Sequence, residues 1–139
     1  MPFVFTARGH PAVVSSHPTT LEITTEPRLT KRGDCIVAVR ADFGLRDLPA
    51  ALKKALSSET ARGILTMRVR SETFTVEGRG SNGLTFTDPH EIVIRKSGFV
   101  SGRTLMVYSN GAAVDIPRRV VKLLQDPAET VTIEISATP

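Results

Sequence analysis

The chain repeats itself, and that duplication constrains its fold more than any single motif. FVFTARG from Phe3 to Gly9 returns as FTVEGRG from Phe74 to Gly80, and HPTTLEIT from His17 to Thr24 returns as DPHEIVIR from Asp88 to Arg95, both displaced by 71 residues. DLPAALKKALSS from Asp47 matches DIPRRVVKLLQD from Asp115 at 68, and LTMRVR from Leu65 matches VTIEIS from Val131 at 66. Four matched segments in one order predict a single domain, residues 1–139, built of two copies, 1–70 and 71–139, related by an approximate two-fold axis.

Apolar spacing sets the elements of each copy. Leu65, Met67 and Val69 alternate with Thr66, Arg68 and Arg70, and Val131, Ile133 and Ile135 alternate in the same way, as strands with one buried face do. The pairs Phe3 and Phe5, Leu21 and Ile23, Phe74 and Val76, Ile92 and Ile94, and Leu105 and Val107 read alike. Cys35 to Val39 is continuously apolar, which suits a strand covered on both faces. Val13-Val14 and Leu84 to Phe86 are candidates for one further strand in each copy.

Two stretches have a helical period. Leu48, Leu52, Ala55 and Leu56 line one face after Asp47 and Pro49; Ile116, Val120, Leu123 and Leu124 do so after Asp115 and Pro117. Asp47 and Asp115 are expected to cap these helices. The fold class is therefore mainly β (α+β). The expected form is an internally duplicated β-rich barrel or sandwich, whose halves each run strand, strand, strand, helix, strand.

One cysteine, Cys35, excludes an intramolecular disulfide. No run approaches the roughly 18 apolar residues that span a bilayer, and MPFVFTARG lacks the regions of a signal peptide. The expectation is a cytoplasmic protein with no membrane partner. Two Asn and one Gln are few for 139 residues, a composition that leans towards a thermophilic source. The net charge of +4 is uneven: residues 1–70 hold eleven basic and six acidic side chains, residues 71–139 seven and eight. Such an excess suits an anionic ligand or a nucleic acid.

The Gly33-Asp34 turn leading into CIVAV resembles the glycine-aspartate turn of double-psi and swapped-hairpin barrels. Gly allows a positive φ there, and Asp can bond its own turn. A longer resemblance rests on RGHPAVVSSHPTTLEIT from Arg8, LTKRGDCIVAV from Leu29 and EIVIRKSGF from Glu91. Together these are similar to an uncharacterised, mainly archaeal family, domain-of-unknown-function family 371, over nearly the whole chain. Its members read GHP, HxTTLE, LTxRGDCI, a second HPTD-like element and IVIRKS. Asp88-Pro89-His90-Glu91 departs from the second HPTD-like element, so a histidine role at position 88 does not carry over. The resemblance implies a β-rich fold in an archaeal cytoplasm and supplies neither reaction nor substrate.

Duplicated units also act as an internal control, because positions given a task are free to diverge. His10 faces Ser81, His17 faces Asp88, Thr20 faces Glu91 and Thr24 faces Arg95, whereas Arg8-Gly9 and Arg79-Gly80 match. Packing about a dyad would bring Arg8, His10, His17, Arg79, Asp88 and His90 into one polar cleft. Arg8, Arg32 and Arg79, with Thr19 and Thr20, would hold a phosphate or carboxylate through the planar guanidinium fork, and Asp34 would support them. Their bland alternative is a set of structural ion pairs to Asp34 and Asp88.

His10, His17, His90 and Asp88 have the ligand types of a divalent metal site, without a diagnostic spacing. A nucleophile reading of Cys35 or Ser97 with His17 has no partner spacing behind it. No GxxxxGK[ST], strand-linked GxGxxG, HExxH or GxSxG is present, which disfavours a nucleotide-binding α/β domain and the corresponding hydrolases. The favoured reading is a small anionic ligand held between the two repeats, with enzymatic use of it open and no cofactor named. A nucleic-acid (RNA) module would use Arg28, Lys31, Arg32, Lys53, Lys54, Arg68 and Arg70 instead. An assembly protein would show a large apolar self-interface and form a homo-oligomer.

Overall fold

The computed structural model describes residues 2–29 and 33–139, so Lys31 and Arg32 of the readings above lie outside the described residues. Among these residues run strands β1 Phe3–Arg8, β2 Thr20–Thr24, β3 Ile36–Ala38, β4 Arg62–Val69, β5 Glu72–Arg79, β6 Glu91–Arg95, β7 Thr104–Met106 and β8 Thr130–Thr138. Two short helices, α1 Ala50–Leu56 and α2 Arg118–Leu124, complete the set.

Strands pair into two four-stranded sheets. The first is antiparallel throughout, in the order β1-β8-β4-β5, with Leu65 opposite Ile135 and Met67 opposite Ile133. The second has the order β3-β2-β6-β7: β2 and β6 are antiparallel, and β3 and β7 join them in parallel. The parallel pairings explain the unbroken apolar runs, because Ile36 to Ala38 and Thr104 to Met106 are buried at every position.

The alternating faces meet in one core. Leu65, Met67, Ile133 and Ile135 of the first sheet cluster with Leu21, Ile23, Ile92 and Ile94 of the second, all at most 1% exposed. Each such side chain contributes about 1.5–3 kcal/mol of transfer free energy. Leu52 and Leu56 of α1, and Val120 and Leu124 of α2, turn into the same cluster from the predicted faces; Val121 joins them, whereas Ala55 of the predicted α1 face is exposed. No described helix is long and apolar enough to cross a membrane.

Three expectations change. The sheets do not close into a barrel: among the described residues only isolated bridges, Arg8 with Val39 and Arg79 with Val107, tie edge strands of one sheet to chain that follows edge strands of the other. Val13, Val14 and Leu84 to Phe86 form no strand; Val13, Leu84 and Phe86 are buried as loop anchors. Asp47 and Asp115 do not cap the α-helices either. Their carboxylates accept from the backbone N–H groups of Gly44 and Ala112, closing a 3-10 turn in front of each helix, and Pro49 and Pro117 take the N-cap positions. A proline at the start of a helix costs nothing there, because the N–H it lacks would have no partner in the first turn.

The repeated Arg-Gly pair has a packing cause. A Cβ on Gly9 would lie 2.3 Å from the Asp126 carbonyl oxygen beyond α2, and one on Gly80 would lie 2.3 Å from the Leu56 carbonyl oxygen at the end of α1. Backbone passes backbone at both places.

Candidate functional site

The residues expected in one cleft are spread through the fold. Arg8 and Arg79 close the two edge strands of the first sheet, β1 and β5. Arg8 faces Thr130 at the start of β8, while Arg79 faces Arg62, whose partner is Thr138 near the end of β8. At ordinary strand spacing they stand roughly 14 Å apart across the sheet and about 25 Å apart along it. Arg8 also donates from Nη1 to the Ala128 carbonyl.

His17, Thr19, Thr20 and Asp34 do gather, at the start of β2. His17 Nδ1 accepts from the N–H groups of Thr19 and Thr20, and the Asp34 carbonyl accepts from the N–H of His17. Asp88 stands at the opposite end of the β2–β6 pair, where its Oδ1 accepts from the N–H groups of His90 and Glu91 at 2.8 Å each. His90 Nδ1 bonds Thr25 Oγ1, and His10 Nδ1 accepts from the N–H of Ala12. All three histidines thus spend Nδ1 on local hydrogen bonds. Among the described residues no three His, Cys, Asp or Glu side chains come together as a metal site.

A buried polar cluster forms elsewhere. It lies on the face of the second sheet turned away from the core, where Thr20, Glu22 and Thr24 of β2 alternate with the core residues Leu21 and Ile23. Glu22 is nonetheless only 4% exposed. Antiparallel pairing sets Thr24 opposite Glu91, which makes Glu22 and Glu91 diagonal neighbours on that face. Their carboxyl groups are hydrogen-bonded to one another, which requires a proton on one of them. Burial, the bond to Glu91 and the Glu91 charge, in that order, push Glu22 up to about 8; Arg103 and Cys35 oppose the shift. Glu22 therefore carries a proton at neutral pH.

Arg103 holds the pair, with Nη1 2.6 Å from Glu91 Oε1 and 3.8 Å from Glu22 Oε1. Cys35, ending the turn before β3, donates its S–H to Glu22 Oε1 at 3.8 Å. Burial and then the charges of Glu22 and Asp34 push the thiol up to about 12, so it is no nucleophile at neutral pH. Arg95, opposite Thr20, bonds Thr104 Oγ1 and Ser101 Oγ, and its guanidinium lies 4.9 Å from the centre of the Phe99 ring. Desolvation and the neighbouring Arg103 charge lower its pKa, yet a guanidinium keeps its charge at any physiological pH.

A signal for this cluster was present in the sequence. Glu22 belongs to the HPTTLEIT string, Cys35 to LTKRGDCIVAV, and Glu91 and Arg95 to EIVIRKSGF. The strings that carry the family resemblance meet here. What hid the cluster is that TLEIT, taken alone, puts Glu22 on a wet face.

The basic excess of the first half is partly neutralised. Arg68 pairs with Glu134 and Arg70 with Glu129, while Lys53 keeps its charge and donates from Nζ to the Arg46 carbonyl.

Comparison with known proteins agrees with the strings. The family profile described as a domain of unknown function (DUF371) matches residues 5–138. An uncharacterised protein of Methanocaldococcus jannaschii, MJ0206, is 37% identical over 131 residues, covering 94% of this chain and 96% of that protein. The chain therefore belongs to the DUF371 family.

Proposed function

We propose that the protein binds a small anionic ligand, a phosphate or a carboxylate, over the outer face of the β2–β6 pair. Arg95 and Arg103 would serve as counter-charges, and Glu22 as a neutral hydrogen-bond donor. One observation carries the reading: Arg103 and a partly desolvated Arg95 stand beside Glu22, which burial holds in its protonated form at neutral pH, so its carboxyl does not neutralise them. Partly desolvated positive charge of this kind is relieved by an anion, and strongly perturbed groups collect at functional sites. A proton donor beside bound oxyanion also suits acid catalysis, whose reaction would be set by the ligand.

Sulfate tests this, because its charge does not change between pH 6 and 9. Amide NMR titration should map sulfate to Val93, Arg95 and Arg103, with affinity falling as pH rises through about 8 and Glu22 ionises. Arg103→Ala should weaken binding at least about tenfold, and Glu22→Gln should keep binding while removing its pH dependence. Sulfate that leaves these amides unshifted, or binds them equally at pH 6 and 9, would refute the reading.

We also infer that the chain is a duplicated domain of repeats 1–70 and 71–139 about a pseudo-two-fold axis. Support comes from local geometry that recurs at the sequence displacements. Ser15 and Phe86, 71 residues apart, share a positive φ, as do Arg40 and Tyr108, 68 apart. The bridges Arg8 with Val39 and Arg79 with Val107 correspond as well. Phe3 pairs with Ile135, and its match Phe74 pairs with Met67, which favours Met67 and Ile135 as equivalents, so the last displacement is 68 rather than 66.

A further inference from the structure

Arg79 stands apart from the Glu22 cluster and lines two adjoining hollows, of about 150 and 380 Å³. Arg62, Glu77, Tyr108 and Asn110 line the smaller, and Glu59, Ser81, Gly98 and Tyr108 the larger, so Arg79 and Tyr108 belong to both. Arg62 and Arg79 are register partners on β4 and β5. Two like charges directly opposite one another across a strand pair repel. Even so, neither forms an ion pair among the described residues: Arg68, Arg70, Arg103 and Arg119 each take a carboxylate, and these two do not.

Two carboxylates line the hollows without pairing with either arginine: Glu59 accepts from Asn82 Nδ2 at 2.8 Å, and Glu77 lines the smaller hollow beside Arg62 and Arg79. Asn110 accepts from the N–H of Glu77 through Oδ1, which leaves its amide nitrogen as a donor. Tyr108 is 66% exposed, with a left-handed backbone at φ 51°. Arg40 takes the same conformation, so the strain belongs to the fold; the ring does not. Gly98 is needed beneath that ring, since a Cβ there would lie 2.3 Å from the Tyr108 hydroxyl.

We propose that this groove is a second binding site, for a phosphorylated small molecule of the nucleoside monophosphate class. Arg62 and Arg79 hold the oxyanion between them and lose their mutual repulsion in doing so. The rim carboxylates Glu59 and Glu77 accept hydrogen bonds from sugar hydroxyls, and a flat base stacks on Tyr108. The larger hollow alone falls within the volume range of small-molecule sites. The site shares no residue with the Glu22 cluster and stands or falls independently of it.

Adenosine monophosphate, inorganic phosphate and adenosine are the probes, followed by amide NMR on the intact chain. Adenosine monophosphate should shift Arg79, Ser81 and Tyr108, a response read separately from any at Glu22. Arg62→Ala should weaken it about tenfold or more. Tyr108→Ala should weaken adenosine monophosphate while leaving inorganic phosphate as it was. Arg62→Lys, which keeps the charge, separates loss of the fork from loss of fold and should recover part of the affinity. No shift at millimolar adenosine monophosphate, binding unchanged in Arg62→Ala, or adenosine bound as well as its phosphate would each overturn the proposal.

Discussion

His17 and Asp88 do the same work on neighbouring strands: Nδ1 of one and Oδ1 of the other accept the backbone N–H groups two and three residues further along, at the entrances to β2 and β6. An imidazole and a carboxylate thus interchange as acceptors, which is why sequence divergence at this pair does not mark a ligand. Replacing either by Ala should cost about 0.5–2 kcal/mol in urea unfolding, as the loss of a capping acceptor does, with Asp88→Asn costing less. Sulfate affinity should be unchanged in both Ala variants.

Glu22 gives stability a definite pH dependence. Its pKa is about 8 folded against an ordinary 4.5, so the native state holds a proton that the unfolded chain releases. That contribution is complete below 4.5, declines as pH rises, and is lost above about 8. Urea denaturation between pH 5 and 8 should show wild-type stability falling by up to about 1.4 kcal/mol per pH unit. In Glu22→Gln the profile should be flatter. Equal slopes in the two proteins would mean that Glu22 ionises normally.

Gly9 and Gly80 are close-approach positions, and neither has a positive φ. Ala at either should destabilise the protein by more than about 2 kcal/mol, because backbone would have to move. Gly83 provides the control, since a Cβ there meets only the Val100 methyls and the Ser81 hydroxyl, at 3.4 Å and beyond. Thermal melts of the three Ala variants make the comparison.

Cys35 should resist alkylation. A thiol pushed up to about 12 leaves almost no thiolate at pH 8, and iodoacetamide should modify it more than about 100-fold slower than a peptide cysteine. Glu22→Gln removes one of the charges that raise the thiol and should speed the reaction.

The fold was legible wherever one face of an element is apolar. Leu65, Met67 and Val69 announce β4, and Leu52 and Leu56 announce α1, because period and burial coincide. Asp47 was misread by one turn, since a carboxylate before a proline can close a 3-10 turn as easily as it caps a helix. The site was less legible. Glu22 looks solvated from its place in TLEIT; its burial depends on Cys35 and Arg103, which approach from the chain before β3 and β7. Those parallel connections are long-range, and no local pattern encodes them. Arg8 and Arg79 match in sequence, yet matching segments need not be neighbours in space.

Carbon-13 NMR titration of glutamate carboxyl groups tests the account most directly. The account predicts one resonance with a midpoint near 8 that is absent from Glu22→Gln. Titration of every glutamate below pH 5 would contradict it, because an ionised Glu22 would offset a guanidinium charge at neutral pH.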